Sequence, residues 1–443
     1  MKKKLLVLIL AITMIVVAAC SSSKSPTSPG ETDKGSVTTS EDKPVIDKTI
    51  KREVRVVGHL FDDTRRQILA NVAEKLKKEW PNITLVDDCV SDHGTKLKLE
   101  LPTGSGPEIF SVDDLYQQQL LPYISDITDI VIEHKFAERS LEGALDFNNQ
   151  RTPGHYYSVP FTMSPCAFYY NKAIFKELNI TPPKTFDELE AILAKIKNES
   201  NYIPLANAGL SNRHVLWMTY CNVSNNADMN DIRKWYFQES TPESVKNAFI
   251  KSFEILQDWC NKGYFGDVKT VLGIDHLVYI SNVYGKGNVA MSYDGDWRLQ
   301  EFEASGIDTG VFAFPSEYGT NAVDFSWALN KEAGEDPTMR AFFADFVEAF
   351  FDRDIVAQFY EAGYTPSIKI DTTGLTVSPL RQEFMEAIKN QKVGYFLDNA
   401  APGMFEALTK ITQQLMLNEI TPEEAWVQMD ASYEQGKASV QSR

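Results

Sequence analysis

The sequence predicts an α/β chain large enough for more than one lobe. Strand-like and helix-like segments alternate from residue 53 onward. Apolar residues make up 43% of the chain, enough for a sizeable core and too many for wholesale disorder. The length of 443 residues exceeds a typical single domain, which makes two lobes the prior.

The N-terminus is an address rather than a fold. Residues 2–4 are lysines, and 5–19 are apolar except for Thr13. At ~1.5 Å per residue the apolar run spans roughly 22 Å, short of a ~30 Å bilayer core. A charged start before a short apolar run reads as a secretory signal over 1–19. It ends Val17-Ala18-Ala19-Cys20. This is similar to a bacterial lipobox, with Cys20 as the lipidated first residue of the mature chain. Cleavage there removes three lysines and no acids, taking the net charge from −17 to −20. Residues 20–52 are mostly Ser, Thr, Pro, Gly, Asp, Glu and Lys, with no aromatic. Such a segment buries too little apolar surface to offset its ordering entropy, so it reads as a flexible tether. A long tether after a lipidated cysteine suits the outer face of a Gram-positive membrane.

Residues 53–58 alternate and predict a strand. Leu69, Val72, Leu76 and Trp80 then recur at helical spacing. Residues 83–87 predict the next strand, 95–101 a short helix, 104–107 a turn and 108–112 a third strand. This alternation implies a parallel sheet with covered faces. Later segments are mainly helical. Thr185 to Glu188 and Thr421 to Glu424 are capping boxes, and Thr241-Pro242, Asp336-Pro337 and Ser378-Pro379 place a cap before a proline. Helices are therefore expected to start near 186, 242, 337, 379 and 422. Short apolar runs at 158–161, 289–293, 309–314 and 323–329 predict further strands. Cys89, Cys166, Cys221 and Cys260 form no CxxC pair, which leaves three disulfide pairings or buried free thiols open.

The excess of 61 acidic over 44 basic residues argues against a nucleic-acid partner and against adsorption to anionic lipid. No GxSxG, HExxH or GxxxxGK[ST] motif is present, and the six histidines are scattered. Asp113/Asp114 and Asp294/Asp296 are carboxylate pairs. Glycoside hydrolysis needs such a pair at a defined separation, which spacing along the chain does not set. Asp114 reads more simply as a helix cap. The aromatics are more informative. Phe61, Trp217, Trp297, Trp327, Tyr364, Tyr395 and Phe396 fall in predicted loops or strand ends rather than on one helical stripe. Sugars offer apolar C–H faces to aromatic plates and hydroxyls to Asp, Asn and Arg. Trp297, between Gly295-Asp296 and Arg298, is the best placed of these rings.

Three consecutive blocks carry a family resemblance: Tyr157 to Phe161, Phe168 to Lys172, and Thr181 to Leu189. They resemble the Y-x-V-P, Y-Y-N-K and P-P-K-T-W-D-E-L segments of family 1 extracellular solute-binding proteins, the sugar-binding subunits of ABC importers. Phe186 stands here where that family has Trp. Ala290 to Trp297 is similar to its A-M-x-x-x-G-x-W segment, Pro107 to Asp113 to its P-D-[IV]-x-x-x-D, and Glu419 to Ala425 to its closing segment. The likeness runs from about residue 53 to 430.

The resemblance implies a two-lobe, type II periplasmic-binding-protein-like fold. Each lobe is expected to be a mainly parallel sheet flanked by helices, with the ligand in the cleft. It implies an N-terminal lobe of 53–165 and 324–376, and a C-terminal lobe of 166–323 and 377–443. Carried onto this sequence, the cleft positions are His59 and Phe61 after the first strand, Asp113 after the third, Ser164, Arg213, Trp217, the pair Asp296/Trp297, Trp327 at the return crossover, Tyr364, and Tyr395, Phe396 and Asn399 in a C-terminal loop. Ser164 replaces a ligand-binding Glu. The implied protein is a monomeric binding subunit, not an enzyme, with a carbohydrate ligand and membrane permease partners. It needs no cofactor or metal. The alternatives are a lipid-anchored glycosidase or lyase using Asp113 or Asp296, a binding protein for a peptide or polyamine, and a sensor that presents its ligand to a receptor kinase.

Overall fold

The computed structural model describes residues 45–441, apart from Phe61 and Glu142. Cys20 and its signal thus lie outside the described residues, as does Phe61. Strands β1 (Arg52–Val57), β2 (Ile83–Asp87) and β3 (Ile109–Val112) pair in parallel, with β1 in the middle. All four residues of β3 are buried, as expected for a strand covered on both faces. Next comes β4, Val159–Asn171, 13 residues long where the apolar run predicted only its start. Then follow β5 (Ile203–Leu205), β6 (Val289–Gly295), β7 (Thr309–Phe312), β8 (Tyr318–Gly319), β9 (Asn321–Leu329), β10 (Thr365–Pro366) and β11 (Lys392–Val393).

The main sheet runs β2-β1-β3-β9-β4-β6-β5. Its outer pairs are parallel, as expected, but the sheet as a whole is mixed. β9 lies antiparallel between β3 and β4, and β10 adds antiparallel pairs to Thr162 and Met163. β4 changes partners along its length. Val159 to Pro165 pair with β9, whereas Cys166 to Tyr170 pair with β6 and Phe168 to Asn171 with β7. The changeover falls at Pro165, which has no N–H to donate to a ladder. Strands that run back and forth between two halves of a sheet meet head to tail, and that produces the antiparallel centre.

Each half of the sheet has its own pair of cores. One pair draws on residues 54–161 and 327–368, with Val54, Leu69, Trp80 and Phe346 on one face and Val57, Leu97 and Phe110 on the other. The other draws on residues 166–314 and 380–433, with Phe168, Trp235, Phe249 and Trp259 on one face and Tyr169, Phe302 and Phe384 on the other. Burying each large side chain contributes roughly 1.5–3 kcal/mol, so each half has the means to fold around its own centre. A small cluster of Ala144, Phe147 and Val323 packs against Tyr395 and Phe396 from the second core.

Helix starts follow the predicted caps with one exception. Thr185 and Glu188 complete a reciprocal box, and so do Thr421 and Glu424. Asp336 and Ser378 accept the N–H groups of Thr338 and Arg381. At 242 the extended Pro242 is itself the cap, and its carbonyl accepts from Val245 and Lys246; Thr241 stands one residue too early. The end of the expected tether is also shorter than predicted. Ile50 packs on the first core and the Asp47 N–H donates to Thr338 Oγ1 at 3.1 Å. Cys89, Cys166, Cys221 and Cys260 are free and buried, and burial pushes the Cys89 and Cys260 thiols up to about 12. No described helix is long and apolar enough to cross a membrane.

Candidate functional site

The carboxyl ends of β1, β3 and β6 bring polar loops to the seam between the two halves of the sheet, where ligands of open α/β sheets bind. After β1 the chain turns at Gly58. A Cβ there would stand 2.8 Å from Ser111 Oγ and 3.3 Å from the Trp327 ring. Glycine thus lets β1 close on its neighbours, and the His59 N–H donates to Ser111 Oγ at 3.2 Å. The His59 ring meets His93 edge-on at 5.4 Å, and His93 meets Tyr116 in the same way. Burial pushes His59 well below its ordinary range and His93 to about 4, so both are neutral hydrogen-bonding groups at pH 7.

Asp62 caps the Asp63–Leu76 helix by accepting the Arg65 N–H at 2.9 Å. The Arg65 side chain folds back onto Asp62 and lays its guanidinium 5.0 Å over the Tyr364 ring. After β3, Asp113 rather than Asp114 is the cap. It accepts the Tyr116 N–H at 2.7 Å, because its extended backbone precedes the first helical residue. Asp114 is that first helical residue. It is 1% exposed and paired with Arg151 at 3.3 Å. Burial raises the Asp113 carboxyl to about 7; its cap hydrogen bond opposes this, and the charges of Asp114, Asp324 and Asp398 add to it.

Asp324 and Asp398 complete an acidic lining. Burial raises both. Arg65 and the Ser164 hydroxyl steady the charge on Asp324, and Arg213 steadies both. Arg213 opens the Arg213–Asn226 helix after Asn212, which takes a left-handed φ of 52° that Asn tolerates. Its guanidinium lies 4.5 Å over the Phe405 ring. From there its charge reaches His59 and Tyr116 on the opposite half.

β6 ends at Gly295, where a Cβ would stand 2.0 Å from the Trp297 ring. Only glycine lets the half-buried ring fold back. Trp217 meets it edge-on at 5.4 Å, and Phe396 stands 6.5 Å from Trp217. These three rings stand together at the end of β6, and Arg213 opens the helix that carries Trp217.

Other expected positions are placed differently. The Asp296 carboxylate is 2% exposed and already accepts from Thr365 Oγ1 at 2.6 Å and pairs with Arg381 at 3.5 Å. Burial raises it to about 7, against Arg381 and Thr365. It is a strut between β6 and β10 rather than a free hydroxyl acceptor. Trp327 is fully buried and stacked on Phe161 at 5.1 Å and 5°, with Phe346 and Phe350 beside it, so it is core and not a cleft plate. Tyr395 is stacked against Tyr236 at 4.5 Å and Phe147 at 5.5 Å, which clamps residues 144–149 to the second core. Asn399 closes a single 3₁₀ turn, its N–H bonded to Phe396 O.

Below Trp217, His214 and His276 approach Asp294 at 3.3 and 3.5 Å. Their donor atoms are close enough together to hold a metal. The protonation pattern speaks against one. His214 Nδ1 accepts the Ala208 N–H, so Nε2 carries the proton and donates it to Asp294. Arg298 Nη1 lies 3.1 Å from His276 Nδ1, and its charge would repel a cation. The group is a hydrogen-bonded floor. Tyr279 donates to the same carboxylate at 2.8 Å.

A profile of bacterial extracellular solute-binding proteins matches residues 72–370. The chain belongs to this family. This solute-binding protein is 26% identical to the maltotriose-binding protein of Pyrococcus abyssi over 270 residues, 59% of this chain and 53% of that one. It thus aligns with about half the length of that relative. It is also 26% identical to the multiple sugar-binding protein of Streptococcus mutans over 333 residues, 71% of this chain and 70% of that one. A solved chitin oligosaccharide binding protein superposes with a TM-score of 0.73 at 21% identity, covering 88% of this chain and 99% of the other. RafE in complex with raffinose gives 0.68 at 17% identity, covering 87% and 100%. The two-lobe type II binding-protein architecture is therefore the fold of this chain, and the family consists of binding proteins.

Several residues of the solute-binding protein's seam were not evident from sequence. Arg65 and Asp62 follow β1 closely, but nothing in their spacing separates them from an ordinary helix start. Asp324 sits in an apolar strand, a placement that flags a buried carboxylate. Asp398, two residues after Phe396, was the nearest miss.

Proposed function

We propose that this chain is the carbohydrate-capturing subunit of an ABC importer, anchored through lipid on Cys20 at the outer face of the membrane. The observation that carries the reading is the approach of two surfaces, in which the Arg213 charge acts on His59 and Tyr116 and the Asp398 charge acts on Asp113. The Trp297, Trp217 and Phe396 rings lie on the half that ends in β6, and Asp113, His59 and Arg65 on the half that ends in β1 and β3. Aromatic rings suit the C–H faces of a sugar, while carboxylates, neutral imidazoles and guanidinia suit its hydroxyls. The relatives, a maltotriose-binding and a multiple sugar-binding protein, support a saccharide over a peptide or polyamine.

The proposed lobes are 53–165 with 324–376, and 166–323 with 377–443. The separate cores of the two sheet halves support that division. Sugar binding would draw the lobes together about β4, β9 and β10, and a membrane permease would read the closed form. The proposed role is capture by a monomer without covalent chemistry. A thermal-shift screen of neutral mono- and oligosaccharides tests it: at least one sugar raises the melting temperature. A rise seen only with peptides or polyamines overturns the sugar assignment. Cleavage of the bound oligosaccharide on long incubation would instead favour the glycosidase or lyase reading.

A further inference from the structure

The Arg213–Asn226 helix reaches two places. Its first residue faces the seam, and its last turn lines an open groove of about 720 Å³ between the starts of the Phe186–Glu199 helix and the flank of the Glu243–Asn261 helix. Residues 213 and 225 are separated by about 18 Å at ~1.5 Å per residue, so the groove is a separate place from the seam. Its volume lies within the roughly 300–1,000 Å³ usual for small-molecule sites.

The floor of the groove is Asn222. It is 4% exposed, yet its side-chain amide makes no hydrogen bond to any described residue and opens into the groove. The amide atoms reach the groove, so water or a ligand there can bond to them. Asn225 and Asn226 stand above it and are exposed. Each spends one N–H locally, on Pro315 O and Asn222 O respectively.

The charges in the groove are largely spoken for. Lys251 pairs with Glu254 at 3.2 Å and Lys262 with Asp258 at 2.6 Å, while Glu190 accepts the Trp259 indole N–H at 3.0 Å. Among the described residues these acids form no metal-sized group. What remains is a set of amides that both donate and accept, beside the half-buried ring of Phe186, which is stacked on Trp259 at 5.9 Å. Amides match groups that also donate and accept, and the ring matches a C–H face. That combination describes a polyol rather than an ion.

We propose that this groove is a second saccharide site, weaker than the seam, for a short neutral oligosaccharide. It would hold sugar close to the protein and raise the local concentration from which the seam is filled.

Native mass spectrometry of the full chain, with maltotriose and raffinose as probes, counts the molecules bound. The groove site predicts up to two per chain with at least one probe. Trp297→Ala should weaken the tighter binding step roughly 30-fold and leave the weaker step unchanged. Asn225→Trp, at an exposed position where folding is not at stake, should remove the weaker step, and Asn222→Leu should do the same. If only one molecule binds up to saturating sugar with either probe and Trp297→Ala weakens it, the groove site is wrong while the seam reading stands. A second molecule that persists in both groove variants also overturns it. If the groove variants abolish the tighter step and Trp297→Ala leaves every step unchanged, the groove stands and the seam reading falls.

Discussion

Asp113→Asn keeps the helix cap and removes the charge. Asparagine caps a helix about as well as aspartate, so the hydrogen bond from the Tyr116 N–H survives. The Asp113 carboxyl sits at about 7 against an ordinary 3.8. For an acid raised in the folded state, the sign is fixed. Between pH 4 and 7 the folded chain holds a proton that the unfolded chain has lost, so stability falls as pH rises through that window and levels off above it. A shift of about 3 units at 1.36 kcal/mol each, discounted for the part of the side chain that still meets solvent, gives about 2–4 kcal/mol. Wild type and Asp113→Asn should therefore be equally stable near pH 4. By pH 8 the variant should be the more stable by about 2–4 kcal/mol. Asp296, also raised to about 7, is present in both proteins and cancels in the difference. Urea denaturation at half-unit steps from pH 4 to 8 measures that difference directly. A difference that does not change with pH, or a variant that is less stable at pH 8, would refute the reasoning.

Three further perturbations separate the roles assigned above. Trp297→Ala should weaken sugar binding by about 2 kcal/mol, roughly 30-fold in Kd by calorimetry, with little change in melting temperature. Trp327→Ala should do the opposite. It should lose about 3–5 kcal/mol of stability in denaturant titrations while the folded fraction binds sugar with unchanged Kd. Arg381→Met strips the buried Asp296 of its cation and should cost about 3–5 kcal/mol. Because Asp296 can then take up a proton, the loss in melting temperature should be larger at pH 8 than at pH 5.

Local signals were legible where they are self-contained. The Thr185/Glu188 and Thr421/Glu424 boxes and the alternation of 53–58 and 83–87 depend only on neighbours a few residues away, and the structure carries them as read. The place of Trp297 just beyond a strand was legible too, because the apolar run 289–293 ends shortly before it. What failed depends on partners far along the chain. Asp296 looks like a free acceptor until Thr365 and Arg381 arrive from 69 and 85 residues away. Trp327 looks like a strand-end plate until Phe161, Phe346 and Phe350 enclose it. The length of β4 was hidden because Pro165 interrupts the pattern at the point where the strand changes partners. The opposed positions of Arg213 and His59 follow from the meeting of two sheet halves, which no local pattern encodes.

The central claim is that the seam takes up a sugar between the Trp297 rings and the Asp113 side. Titration calorimetry of wild type and Trp297→Ala with the sugar that most raises the melting temperature tests it most directly. The account predicts saturable binding by wild type, with a negative heat-capacity change from the buried rings, and a roughly 30-fold weaker Kd in the variant. Binding of equal affinity in the two proteins would contradict it.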